Sequence, residues 1–126
     1  MNENELSRII YEASIEVHRT LGGPGLLESV YEEAFAWELR QVGLKVERQL
    51  ALPIIYKNIQ LASPLKIDLL VGDKVIIECK ATVQVHEVYK AQLLTYLRLS
   101  GLKLGLLINF GSILVKDGIS RVVNGL

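Results

Sequence analysis

Four charged residues interrupt two stretches that otherwise read as buried strands: Lys66 and Asp68 in "LKIDLLV", and Glu78 and Lys80 in "VIIECKA". Charges inside apolar runs are costly unless they are paired or bound to something. Two carboxylates on neighbouring strands offer hard oxygen ligands of the kind Mg²⁺ takes one or two at a time, beside water and phosphate. A lysine two residues after an acid shares its strand face. There it can orient a water or neutralise charge developing on a phosphate. The competing reading is an exposed sheet face carrying ordinary cross-strand ion pairs, and spacing alone makes that the commoner outcome.

Which reading applies depends on register. A two-residue turn at Gly72-Asp73 sets Asp68 across from Ile77 and mixes charge with hydrocarbon on both faces. A three-residue loop shifts the pairing by one. It gathers Lys66, Asp68, Glu78 and Lys80 on one face and the apolar residues on the other, so this odd register is expected. Asp73 or Lys74 would then be left-handed, Asp tolerating that better.

The elements around this hairpin follow from periodicity. Leu6, Ile9, Ile10, Ala13, Val17 and Leu21 form the stripe of a first helix, stopped by "GGPG" at Gly22 to Gly25. "LLESVYEEAFAWELRQVG" predicts a second helix, with Leu27, Val30, Ala34, Trp37 and Leu39 or Val42 inward. "KVERQLALPIIYK" has strand texture, with Pro53 at a bend, and "NIQLASP" reads as a turn. "EVYKAQLLTYLRLSG" returns to helical spacing, with Val88, Ala91, Leu93 or Leu94 and Leu97 inward. "KLGLLINF" is a buried strand, and "SILVKDGISRVVNGL" adds one or two edge strands. The order α-α-β-β-β-α-β predicts one mixed α/β sheet with helices packed on it.

Composition narrows the class. A chain of 126 residues, half of them hydrophobic, suits one compact domain over residues 1–126. No stretch is long and apolar enough to span a bilayer, and the polar start shows no secretory signal. The single cysteine, Cys79, points to a reducing, cytoplasmic setting and, facing the apolar side, to a small core residue. Fourteen basic residues balance fourteen acidic ones, so any polyanion site must be a local patch. His18 and His86 have no partner at ligand spacing, which makes a zinc site improbable. His18 is expected to meet the last carbonyls of its helix, and His86 to be exposed.

Asp68, Glu78 and Lys80 together resemble the signature of the PD-(D/E)XK nuclease-like superfamily. "GLLESVY" fits a GxxExxY pattern through Gly25, Glu28 and Tyr31, and "AQLLTYLRLSGLKLGLLINFG" is similar to the same family's segment after its lysine, through Gln92, Tyr96 and Asn109. On these segments the chain resembles the GxxExxY protein family, a branch of that superfamily, from about Ile9 to Phe110. The residue before Asp68 is Ile67 rather than proline, and Lys66 stands where many relatives carry arginine. The resemblance implies a restriction-endonuclease-like core, α-β-β-β-α-β, with an extra helix in front. It implies that Asp68, Glu78 and the Cys79 carbonyl bind Mg²⁺ or Mn²⁺, with Glu28 a further acidic ligand. Lys80 would position the attacking water, and Gln92 would line the pocket.

Without the resemblance, Glu28 reads as favourable charge at a helix start. Tyr31 reads as a packing residue whose hydroxyl reaches a polar partner, Glu32 and Glu33 as solvated, and Gln92 as a surface residue. Two functions stay open. One is a Mg²⁺-dependent phosphodiester hydrolase acting on DNA or RNA. The other is a non-catalytic nucleic-acid or protein-binding module on the same fold. The C-terminal edge strand offers a pairing surface for a second copy, so a homodimer is a further expectation.

Overall fold

The computed structural model describes residues 1–126. Helix α1 (Glu3–Thr20) starts in a capping box, in which the Asn2 side chain accepts from Glu5 N–H and Glu5 accepts from Asn2 N–H. Helix α2 (Glu28–Gln41) follows the glycine-rich loop. Then come β1 (Val46–Leu52), a small hairpin of β2 (Ile55–Tyr56) and β3 (Ile59–Gln60), β4 (Leu65–Val71) and β5 (Val75–Lys80). Helix α3 (Glu87–Ser100), β6 (Leu104–Asn109), a 3₁₀ turn (Val115–Gly118) and β7 (Ile119–Val123) complete the order.

The main sheet runs β1-β4-β5-β6-β7. Only β5 and β6 are parallel, because α3 crosses between them; the other neighbours are antiparallel. Helices α1 and α2 cover one face through Leu6, Ile10, Val17, Phe35 and Leu39, over Val75, Ile77, Leu104 and Ile108. Helix α3 covers the other through Leu93 and Leu97, over Leu70, Ile76 and Leu107. Its approach is close: a Cβ on Gly105 of β6 would lie 2.8 Å from the Leu93 side chain, which would have to shift to admit it. A mixed α/β sheet with helices packed on it is the architecture the sequence predicts; the structure adds that they cover both faces.

The β4–β5 hairpin has the odd register, Val71 pairing with Val75 around Gly72, Asp73 and Lys74. Gly72 and Asp73, at φ +59° and +58°, take the left-handed positions. The register does not segregate the strands as expected. The apolar residues do not all join one face, because Leu70 and Ile76 pack under α3 while Leu69, Val71, Val75 and Ile77 pack under α1 and α2. With both faces covered, the acids Asp68 and Glu78 lie where regular β4–β5 pairing ends.

The inward face of α2 also differs from expectation. Leu27, Val30, Trp37 and Val42 are exposed, while Tyr31, Phe35, Ala36 and Leu39 are buried. Both stripes have helical spacing. The aromatic one prevails because Tyr31 stacks on Phe110, with centroids 4.9 Å apart, and Phe35 meets the same ring edge-on at 5.6 Å. In α3, Val88 and Ala91 face solvent while Leu93 and Leu97 are buried, with Tyr89 and Tyr96 packed beside them. His18 is buried rather than capping its own helix: its Nε2 lies 3.0 Å from the Phe110 carbonyl, so that nitrogen carries the proton and donates. Within "NIQLASP", Ile59–Gln60 is strand rather than turn, the reversal falling at left-handed Lys57 and Asn58.

The two faces of α2 should separate in denaturant melts followed by circular dichroism. Phe35→Ala, which empties a fully buried site, should cost about 3–5 kcal/mol, whereas Trp37→Ala should cost under about 1 kcal/mol. Equal losses would return Trp37 to the core.

Candidate active site

At the end of the hairpin away from its turn, regular pairing stops. The β4–β5 ladder runs from Val71–Val75 to Leu69–Ile77. The β1–β4 ladder skips one position, between Arg48–Leu69 and Leu50–Ile67. Asp68 sits at both lapses. Facing parity changes there as well: Leu65 and Ile67 belong to the α3-side core, Leu69 and Val71 to the opposite one. Strand β4 therefore turns over at Asp68, and the freed hydrogen-bonding groups are taken up by side chains. Asp68 Oδ2 accepts from Cys79 N–H at 2.9 Å, and Glu78 Oε1 accepts from Asp68 N–H at 3.4 Å. Each acid thus binds the main chain of the other strand, and the two carboxylates share one end of the hairpin.

The ion-paired face does not form. None of the protein's ion pairs includes Lys66, Asp68, Glu78 or Lys80. Lys80 instead holds its ammonium 4.2 Å from the centre of the Tyr89 ring, a cation–π contact with the first turn of α3. The chain beyond Lys80 is clamped. Asn109 Oδ1 accepts from Thr82 and Gly111 N–H, its Nδ2 donates to the Thr82 carbonyl, and Phe110 N–H donates to the Lys80 carbonyl.

Glu28 opens α2 at an exposed position. Tyr31 prepares that start, its hydroxyl donating to the Gly23 carbonyl at 2.7 Å and accepting from Leu26 N–H at 3.1 Å. Partial burial pushes the Glu28 carboxyl above its usual range; Lys80 opposes the shift, and Asp68 and Glu32 add to it. These couplings bring Glu28 into the electrostatic neighbourhood of Asp68 and Lys80. No three His, Cys, Asp or Glu side chains converge as a ligand group, so Glu28 does not join Asp68 and Glu78 in a closed set. Gln92 is exposed on α3 and makes no hydrogen bond with the acids. Tyr96, one turn on, does sense them: burial, then Glu78 and Asp68, raise its hydroxyl. Cys79 is a core residue, its thiol pushed up by complete burial and then by the nearby acids.

A sequence model of the PD-(D/E)XK nuclease superfamily matches residues 4–122. The chain belongs to that superfamily. No match was found among curated proteins or among solved structures.

Two participants escaped the sequence reading. Glu32, expected to be solvated, is 5% exposed and accepts from Arg48 at 3.0 Å and from Gln49 Nε2 at 2.7 Å. Gln49 Nε2 also reaches Asp68 Oδ1 at 3.3 Å. The available signal was the placement of Glu32 one turn after Glu28, on the same helix face. Nothing in "VERQL" marks Gln49.

Glu78, 8% exposed, is the most perturbed acid; burial first, then the Asp68 charge, push it from 4.5 to about 9. Its folded pKa lies above its unfolded one, so the native state holds the extra proton between those values. Stability from this group is full at acid pH and drains as pH rises through that window. Thermal melts without divalent ions should show the melting temperature falling from pH 5 towards pH 9. In Glu78→Gln, which mimics the neutral acid, the fall should be shallower; parallel profiles would place the titration elsewhere.

Proposed function

We propose that this PD-(D/E)XK protein is a divalent-metal-dependent nuclease of the GxxExxY branch, hydrolysing phosphodiester bonds in DNA or RNA. The observation that carries the reading is the pairing of Asp68 with Glu78 at the end of the hairpin, with Lys80 beside them and unpaired. The donor set suits Mg²⁺ or Mn²⁺. Its oxygens are hard, and the two carboxylates lack any compensating ion pair. Asp68, Glu78 and the Cys79 carbonyl would hold the ion, with Glu28 adding negative charge from the start of α2. Bound there, a divalent cation supplies Lewis acidity at the phosphate and acidifies water.

The chain's own groups prepare this chemistry. Asp68 is pinned by Cys79 N–H and cannot swing freely. Glu78 must release its proton to serve as a ligand, which couples ion binding to pH. Lys80, resting on Tyr89, keeps a positive charge available for the attacking water or the phosphate. Gln92, exposed one turn before Tyr96, would meet substrate rather than the acids.

A non-catalytic binding module on the same fold draws support from one observation, that no third side chain completes a ligand group. Incubation of the pure protein with labelled single- and double-stranded DNA and RNA in Mn²⁺ or Mg²⁺ separates the two. Cleavage should appear in the wild type and fall by at least about 100-fold in Asp68→Ala, Glu78→Ala and Lys80→Ala. Binding without cleavage that survives Asp68→Ala would favour the module. Lys80→Ala should cost under about 1 kcal/mol of stability, the scale of an exposed cation–π contact. Mn²⁺ should raise the melting temperature of the wild type and leave Glu78→Ala unmoved.

A further inference from the structure

Behind Asp68, a polar chain crosses from the sheet to α2. Its inner end is Glu32, buried and bound by Arg48. Arg48 is held to this pairing even though its own Nε is left buried without a partner. Between Glu32 and Asp68 stands Gln49, whose single amide nitrogen serves both, at 2.7 Å to Glu32 and 3.3 Å to Asp68. Ionised carboxylates only accept, so this nitrogen must face them; the flipped amide would set its oxygen against both. The backbone of Gln49 is unusual too. Its φ is +49°, in the left-handed region that side chains other than glycine avoid, and β1–β4 pairing lapses opposite it. A non-glycine residue persists there only when its surroundings over-determine it, and such positions gather at functional sites.

We propose that Gln49, oriented by buried Glu32, is a positioning residue for Asp68. Left-handed backbone at Gln49 aims the amide across the gap in the ladder, and Glu32 fixes which end of the amide faces Asp68. With Cys79 N–H on Oδ2 and Gln49 on Oδ1, both oxygens of the carboxylate are set before any ion arrives. Gln49 acts through Asp68 rather than on substrate. The inference rests on the metal-dependent reading, and it adds an outer partner of the sort that tunes a ligand carboxylate.

Two measurements on the full chain test it. In the first, Mn²⁺ alone is titrated by calorimetry into the wild type and Gln49→Gly. Glycine relieves the left-handed backbone, so the melting temperature should hold or rise while Mn²⁺ affinity falls about 10-fold. A mere strut between α2 and β1 would give the opposite, a lower melting temperature with unchanged affinity, and would overturn the proposal. In the second, the Gln49 side-chain amide is followed by NMR in metal-free, ¹⁵N-labelled protein, assigned by its disappearance in Gln49→Gly. Glu32→Gln and Asp68→Asn should each shift it; an amide that ignores both substitutions overturns the proposal. A wild type that binds no Mn²⁺ would sink the metal-dependent reading, and the amide shifts would still decide the positioning claim.

Discussion

Two acids that repel one another are held together at the point where β4 turns over, and the surrounding structure is arranged to tolerate them. Asp68 and Glu78 cannot move apart, because each is bound to the main chain of the opposite strand. They have no ion-paired lysine or arginine between them. The metal-free protein meets this constraint by leaving Glu78 protonated, at the expense of stability in alkaline solution.

The supports around the pair are uneven in kind. Aromatic packing of Tyr31, Phe35 and Phe110 fixes how α2 lies on the sheet, and with it the placement of Glu28 and Glu32. Asn109 and the close approach at Gly111, where a Cβ would strike the Thr82 backbone at 2.2 Å, fix the chain just past Lys80. The cation itself is held only by a ring face. The acids are thus tied to main-chain N–H groups, whereas Lys80 is in no ion pair and meets an aromatic ring instead.

Much of this was readable in the sequence. The odd register followed from strand alternation and left-handed tolerance at Gly72-Asp73, and the three residues with chemistry stood out because they broke apolar runs. The face of α2 was not readable. Val30, Ala34 and Trp37 repeat as regularly as Tyr31, Phe35 and Leu39, and periodicity carries no information about which stripe finds Phe110, far along the chain. Glu32 and Gln49 were hidden for a related reason. A buried glutamate looks like a solvated one until its arginine arrives from β1, and a glutamine gives no warning of a left-handed backbone. The sharing of apolar residues over both strand faces was also misjudged, since a crossover helix that covers the second face was placed in order but not in space.

The hairpin's short loop has a kinetic consequence. Val71 and Val75 close over three residues, an event on the order of microseconds, while the parallel β5–β6 pairing must wait for α3 to cross between them. Asp68 and Glu78 are carried by the early event. Their repulsion is therefore felt by the folding chain itself, before the helices that bury Glu78 are in place. Burial outweighs the Asp68 charge in raising the Glu78 carboxyl, so the larger part of its proton affinity comes with the docking of the helices rather than with hairpin closure.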